Sequence, residues 1–232
     1  MLILFDIDMT LLESRGVGLR SMVEAGQSLF GDHFNADGIA FGGQLDPLIL
    51  NMMFERSGVE PTPEAHANLR EAYVARLTRS FESPGVARAL PGAIALLDAL
   101  DAEGHREALG VLTGNFEESG RLKLGAAGID PDRFTVHVWG DDSPHHPPAR
   151  EHLPPVGVER HAARTGVTLG MEQVTLIGDT THDVRAARMN GCRALGVATG
   201  SVSANDLRDA GADRVVDDLT DTQEILRWLT TP

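Results

Sequence analysis

Two aspartates, one residue apart, follow the first apolar run of the chain. The run is Leu2 to Phe5, and Asp6 and Asp8 come directly after it. A short, uninterrupted apolar run is typical of a strand buried on both faces of a parallel sheet, and α/β proteins build their sites at the carboxyl ends of such strands. Two carboxylates about 4 Å apart repel by roughly 4 kcal/mol at an effective dielectric of about 20. The pair predicts a nearby cation, unless Asp8 simply faces solvent, which these residues alone leave open.

A second acidic motif ends another apolar run. Asp179 follows Ile177 and Gly178, and Asp183 lies four residues further on, near the start of a helical pattern. Asp183 can cap that helix or hydrogen-bond a neighbouring metal ligand or cation. Asp6, Asp8 and Asp179 together would form an oxygen-rich site for a hard divalent cation. Mg²⁺ suits such a site best, because it takes few carboxylates and keeps water and phosphate oxygens as its other ligands.

A hydroxyl and a glycine follow a third apolar run, at Thr113 and Gly114. A threonine hydroxyl and the exposed N–H groups of a glycine-containing turn suit phosphate oxygens. Turns of this kind are common, so a purely structural turn is the alternative for these residues taken alone.

The apolar runs alternate with helical patterns along most of the chain. Besides the first, strands are predicted at 108–113, 134–139, 174–179, 193–199 and 212–216. This alternation predicts an α/β domain with a mostly parallel sheet.

One segment breaks the alternation and carries only helical patterns, at 19–30, 47–57 and 63–81. Pro47 and Pro63 stand at the first position of two of these helices, where proline is favoured. We expect a core of residues 1–14 and 87–232, with a helical domain of residues 15–86 inserted after the first strand. Residues 143–155, rich in proline, are predicted to form a loop.

The composition excludes several classes of partner. The net charge is −14 over 232 residues, which argues against binding to nucleic acid or to an anionic membrane.

Cys192 is the only cysteine, so the chain has no internal disulfide. With no charged leader before Leu2 and no bilayer-spanning run, we expect a cytoplasmic protein. The oligomeric state is left open.

The motifs, in their order along the chain, resemble the haloacid dehalogenase (HAD) superfamily, and within it the phosphatase branch with a helical cap, phosphoglycolate phosphatases in particular. Asp6 to Thr10 matches the first motif, Asp-x-Asp-x-Thr; Thr113 matches the second; Gly178 to Asp183 matches the fourth, Gly-Asp-x-x-x-Asp. The resemblance covers essentially the whole chain. It implies a Rossmann-like three-layer core, with residues 15–86 as a small helical-bundle cap.

The resemblance also implies an activity, the Mg²⁺-dependent hydrolysis of a small phosphorylated metabolite through an aspartyl-phosphate. Asp6 would be the nucleophile and Asp8 the general acid and base. The phosphoryl oxygens would be held by Thr113, Gly114 and Asn115, and the metal by Asp6, Asp8 through its carbonyl, Asp179 and, in support, Asp183. Gln44, in a glycine-rich segment that resembles part of the family's cap, is a predicted substrate contact. Asp46 is predicted to cap the helix that follows it.

The third motif of the family, usually a lysine, has no match. The only lysine between Thr113 and Asp179 is Lys123, which comes too early and is interpreted as a solvated helix residue. We therefore predict that Arg150 takes the place of the family lysine; a surface arginine in a loop is the alternative. Guanidinium stays charged and can bind two oxygens at once, but it is bulkier than ammonium.

Three other functions stay open. A sugar-phosphate mutase of the same superfamily would share the motifs. A phospho-accepting signalling protein also gathers aspartates, a threonine and a cation around Mg²⁺. A catalytically inactive binding protein is suggested only by the missing lysine.

Overall fold

The computed structural model describes residues 1–231 as a parallel sheet between two helical layers, with three further helices beside it. The strands in these residues are β1 Leu2–Phe5, β2 Leu12–Glu13, β3 Arg88–Ala89, β4 Leu109–Leu112, β5 Val136–Val138, β6 Val174–Gly178, β7 Arg193–Val197 and β8 Arg214–Val216. The α-helices are α1 Val17–Phe30, α2 Asp46–Ser57, α3 Pro63–Phe81, α4 Ala93–Ala102, α5 Glu117–Ala126, α6 Leu153–Thr165, α7 Thr181–Asn190, α8 Ala204–Asp209 and α9 Thr222–Thr230.

The main sheet has six parallel strands in the order β5-β4-β1-β6-β7-β8. β1 lies inside it, with Phe5 paired to Val111 of β4 and to Ile177 of β6. Because all six strands run the same way, the residues after β1, β4 and β6 meet at one edge. The predicted α/β fold is confirmed.

Alternation of side chains along β1 builds the two interior layers. Ile3 and Phe5 pack into one apolar cluster with residues of α4 and α9. Leu2 and Leu4 point the other way, into a second cluster with residues of α6 and α7. Both faces of the strand are therefore covered, which explains the continuous apolar run and gives the three layers.

The helices α1, α2 and α3 share an apolar cluster, which includes Met22, Phe54 and Tyr73 and also Phe116 of the core. The chain leaves the core after β2 and returns through β3, and these two strands pair antiparallel, Leu12 with Ala89. The three helices predicted in this segment are present. Residues 15–86, which contain them, are called the helical segment.

The prediction of a loop over residues 143–155 is wrong for its last residues. Arg150–His152 form a short 3₁₀ turn, and α6 begins at Leu153. Pro154 and Pro155 lie in the first turn of α6, where proline is tolerated because the N–H groups have no partner within the helix. Among residues 1–231, no helix is both long and apolar enough to cross a membrane.

Candidate active site

The loop after β1 fixes the two aspartates that open the sequence motif. The N–H of Asp6 donates to Ile177 O of β6 at 2.8 Å, so sheet pairing continues into Asp6. Its carboxylate is buried, whereas Asp8 is partly exposed. The chain then turns through Met9 at a φ of 58°, in the left-handed region, and the Thr10 hydroxyl lies 3.4 Å from Asp179 Oδ1.

Three buried carboxylates lie together at the carboxyl ends of the central strands. Carboxylate oxygens of Asp6, Asp179 and Asp183 all lie within 4.8 Å of one another. Burial raises the pKa of Asp179 to about 8, and the charges of Asp183 and Asp6 add to the shift. Burial also raises the pKa of Asp6 to about 6, although Arg150 opposes the shift. The three carboxylates, when ionised, therefore carry more negative charge than Arg150 alone balances.

Arg150 is the cation of this cluster. Its Nη2 lies 2.7 Å from Asp6 Oδ1 and 2.6 Å from Asp183 Oδ1. The residue is only 4% exposed, so the alternative of a surface arginine is wrong. Its position within reach of Asp6 agrees with the prediction that it replaces the family lysine.

Asp183 has both of the contacts considered for it. The N–H and the hydroxyl of Thr180 donate to its Oδ2, at 3.0 and 2.6 Å, which caps the start of α7. Its other oxygen meets Arg150. The cap thus orients the carboxylate that binds the arginine.

Lys123 is not the solvated residue that its position on α5 suggested. It is 6% exposed, and its ammonium lies 2.6 Å from Asp8 Oδ2 and 2.6 Å from Asn115 Oδ1. Burial lowers the pKa of Lys123, but the charge of Asp8 and other neighbouring acidic groups raise it further, to a net value above the ordinary one. Lys123 is therefore a buried, charged partner of Asp8.

Thr113 and Asn115 join the same group from the end of β4. Asn115 Nδ2 donates to Asp8 Oδ2 and to Thr113 Oγ1, both at 2.8 Å. We call Lys123, Asn115, Asp8 and Thr113 the lysine network. Its cation is distinct from Arg150, which contacts the other aspartates of the site.

Gly114 lets the helical segment approach the core. A Cβ at Gly114 would lie 2.0 Å from the carbonyl oxygen of Gln44, and Asp46 N–H donates to Gly114 O at 2.7 Å. Only a residue without a side chain allows this contact.

Asp46 does not cap its own helix, so that prediction is wrong. Its Oδ2 accepts from Phe116 N–H at 3.0 Å and from the Ser119 hydroxyl at 3.2 Å. These groups lie at the start of α5, so Asp46 satisfies the amino end of a helix on the core. The residue links the helical segment to the helix that carries Lys123.

A cavity of about 440 Å³ lies between the helical segment and the edge of the sheet. Its polar wall includes Asp6, Asp8, Thr113, Lys123, Arg150 and Asp179. The helical segment adds apolar side chains, among them Leu19, Met22, Phe41 and Ile49. Gln44 also lines the cavity, as a substrate contact would require. This size and mixed lining are typical of small-molecule sites.

The structure brings together all nine residues predicted for the site. Asp6, Asp8, Thr113, Gly114, Asn115, Gln44, Arg150 and Asp179 line the cavity, and Asp183 is ion-paired with Arg150. The residue that sequence reasoning missed is Lys123. One signal could have found it, since Lys123 is the only lysine of the chain and every other cationic side chain except histidine is arginine.

Solved structures with this fold include several hydrolases. A hydrolase from Pseudomonas syringae is 24% identical, with 99% of each chain covered and a TM-score of 0.71. A predicted phosphoglycolate phosphatase from Haemophilus somnus 129PT is 22% identical, over 97% of this chain and 96% of its own, with a TM-score of 0.68. A mutant of CbbY from Rhodobacter sphaeroides, in complex with xylulose-(1,5)bisphosphate, is 20% identical over 94% of both chains, with a TM-score of 0.71.

At these identities the likeness establishes the fold alone, and no curated protein matches the chain significantly. The family is shown by the sequence itself. The model of the haloacid dehalogenase-like hydrolases matches residues 3–188, more than half of the 232 residues, and the chain belongs to this family.

Proposed function

We propose that the protein is a Mg²⁺-dependent phosphatase that hydrolyses the monoester of a small metabolite through an aspartyl-phosphate on Asp6. The observation that carries the proposal is the different partner of each aspartate. Asp6 is buried beside Arg150 at 2.7 Å, and Asp8 is bound to Lys123 at 2.6 Å. Two carboxylates in such different surroundings are suited to different tasks in one reaction.

The residues present fit a divalent cation. Asp6, Asp179 and Asp183 carry three negative charges when ionised, and Arg150 balances one of them, which leaves two. Burial, with the added charges of Asp183 and Asp6, raises the pKa of Asp179 to about 8. We propose that Asp6, the carbonyl of Asp8 and Asp179 hold Mg²⁺, with Asp183 in support. When bound, Mg²⁺ would supply the positive charge that lets a carboxylate approach an anionic ester.

Asp6 is proposed to form the covalent bond to phosphorus. Its carboxylate attacks, and the ester oxygen leaves as the phosphorus–oxygen bond breaks, a known route for carboxylates. Arg150 orients the carboxylate through Oδ1. The Thr113 hydroxyl and the N–H groups of the following turn, at Gly114 and Asn115, are proposed to bind phosphoryl oxygens.

Asp8 is proposed to move the protons. It gives a proton to the leaving oxygen, which departs as the alcohol, and the resulting carboxylate then takes a proton from the water that attacks the aspartyl-phosphate. Free phosphate and the original Asp6 carboxylate result. Asp8 is partly exposed to the cavity, which gives it access to both substrate and water.

The helical segment is proposed to act as a cap that closes over the substrate and keeps bulk water out. Arg70 of α3 supports this, because it forms ion pairs of 2.7 Å with both Glu118 and Asp141 of the core. Gln44 and the apolar side chains of the cavity would contact the organic part of the ester. By resemblance, phosphoglycolate is one such ester to be tested.

The proposal is tested by a screen of small phosphate esters, phosphoglycolate among them, with and without Mg²⁺. Wild type is compared with Asp6→Asn and with Asp217→Asn, which changes an exposed aspartate of the core in the same way. Mg²⁺-dependent release of phosphate by wild type and Asp217→Asn, and none by Asp6→Asn, is expected. Full activity of Asp6→Asn would rule the mechanism out.

A sugar-phosphate mutase is the second candidate, because a cavity of about 440 Å³ holds more than a phosphoryl group. The same screen separates the two. Release of phosphate without isomerisation of the sugar supports the phosphatase, whereas interconversion of two sugar phosphates assigns the mutase. A phosphorylated Asp6 that persists for minutes would instead indicate a phospho-accepting signalling protein.

A further inference from the structure

Lys123 is enclosed by three parts of the molecule. It projects from α5 of the core, and a Cβ at Gly18 of α1 would lie 3.4 Å from its ammonium nitrogen and 3.7 Å from the hydroxyl of Tyr73 on α3. Burying an ammonium costs several kcal/mol unless good partners repay it. An apolar side chain would fill this space without that cost, which suggests that the charge of Lys123 has a role.

A lysine ammonium carries three donors and no acceptor. Lys123 Nζ lies 2.6 Å from one end of the Asn115 side-chain amide. Because the ammonium can only donate, that end has to be the oxygen, Oδ1. The amide nitrogen then faces the opposite way. The lysine therefore decides which way round the Asn115 side chain stands, a choice that the shape of an amide alone leaves open.

The orientation of Asn115 passes to Thr113. Asn115 Nδ2 donates to Thr113 Oγ1 at 2.8 Å, so the hydroxyl oxygen is an acceptor in this bond. The hydrogen of the hydroxyl is then free to be donated elsewhere. Thr113 lines the cavity, where an anionic oxygen can receive that hydrogen.

The same two donors decide which oxygen of Asp8 can carry a proton. Lys123 Nζ, at 2.6 Å, and Asn115 Nδ2, at 2.8 Å, both donate to Asp8 Oδ2. A proton on Oδ2 would compete with two donors for the same lone pairs. When Asp8 acts as the acid of the proposed reaction, the proton that it donates therefore resides on Oδ1.

We propose that Lys123 is a positioning residue that sets the direction of every hydrogen bond in the lysine network, so that Asp8 Oδ1 and the Thr113 hydroxyl both offer a hydrogen to the substrate. This inference rests on the proposed function, since it assigns a role within that reaction. It gives Lys123 a task separate from that of Arg150, which contacts Asp6 and Asp183 instead.

The test is the replacement of Lys123 by methionine, which keeps an unbranched side chain, one atom shorter, and removes the donors. The ratio kcat/KM is measured for p-nitrophenyl phosphate, whose leaving group needs little help from an acid, and for the alkyl ester that wild type hydrolyses fastest. Lys123→Met is expected to lower the alkyl value by about 10²- to 10⁴-fold, the usual contribution of a positioned acid. The aryl value should fall far less, by about 10-fold or under.

Arg121→Met is the matched control. Arg121 lies on the same helix, two residues before Lys123, but its partners are Glu117 and Asp132 at the surface. It should leave both values near wild type. Equal losses for the two esters in Lys123→Met would mean a general structural role and would overturn the proposal.

Lys123→Gln covers the case in which the methionine variant does not fold. A glutamine amide offers a donor and an acceptor, so it satisfies the buried groups without imposing a direction on Asn115. The same selective loss for the alkyl ester is expected. Equal activity of Lys123→Gln and wild type on both esters would also overturn the proposal.

One measurement is independent of activity. Because the chain has a single lysine, lysine labelled with ¹⁵N in its side chain gives one ammonium resonance. A buried, hydrogen-bonded ammonium should be visible at neutral pH and should shift in Asn115→Ala; a resonance lost to fast exchange with water would contradict the network. If wild type hydrolyses no ester, the proposed function fails, and this resonance still tests the geometry.

Discussion

Removal of the Arg150 guanidinium should destabilise the protein far more than removal of a surface arginine. Arg150 is 4% exposed and meets Asp6 and Asp183 at 2.7 and 2.6 Å. Breaking a buried ion pair by removing one partner costs about 3–5 kcal/mol, because the other charge stays buried without compensation. Arg150→Met should therefore lower the free energy of unfolding by about that amount, measured by urea unfolding at neutral pH without divalent cations.

Arg185→Met is the control for this prediction. The Arg185 side chain is 66% exposed and lies 2.9 Å from Glu151, so its loss should cost less than about 1 kcal/mol. The difference in free energy of unfolding between the two variants should narrow at about pH 5, because Asp6, whose pKa burial raises to about 6, is then protonated and no longer repels its neighbours. A loss in Arg150→Met no larger than that of the control would refute the electrostatic account of the cluster.

Other contacts lead to three further predictions. Burial raises the pKa of Asp46 to about 6. The free energy of unfolding of wild type should therefore fall, by up to about 3 kcal/mol, as the pH rises from about 4 through about 6. In Asp46→Asn, urea unfolding over the same range should show no such fall. Gly114→Ala places a Cβ 2.0 Å from Gln44 O and should cost about 1–3 kcal/mol in the same assay. Gly125→Ala, whose Cβ would meet no described atom within 4 Å apart from its own chain neighbours and helix backbone, should not destabilise. Millimolar Mg²⁺ should raise the melting temperature of wild type in calorimetry but have little effect on Asp179→Asn.

The fold was predictable because its signals are local. Leu2 to Phe5 is apolar throughout, Val174 to Gly178 is apolar except for Thr175, and an aspartate follows each run, so strand type and the position of the acidic groups follow from short stretches of sequence. In a parallel sheet the ends of such strands meet at one edge, which brought Asp6 and Asp179 together in the prediction as in the structure.

The errors within the site concern contacts between distant parts of the chain. Lys123 has the spacing of an ordinary helix residue, but Gly18 of α1 and Tyr73 of α3 pack close to it. Asp46 stands where a residue normally caps its own helix, yet its carboxylate is used by Phe116, 70 positions away. Neither contact has a signature in the neighbouring residues, because each depends on how the helical segment lies against the core.

The central claim is that Asp6 carries the phosphoryl group, and it can be tested by trapping. Wild type turning over a phosphate ester with Mg²⁺ is quenched in acid and reduced with borohydride, which converts an aspartyl-phosphate to homoserine; the peptide that contains residue 6 is then analysed by mass spectrometry. The account predicts homoserine at position 6 in wild type during turnover and none without substrate. Turnover with unmodified Asp6, or with homoserine at another aspartate, would contradict it.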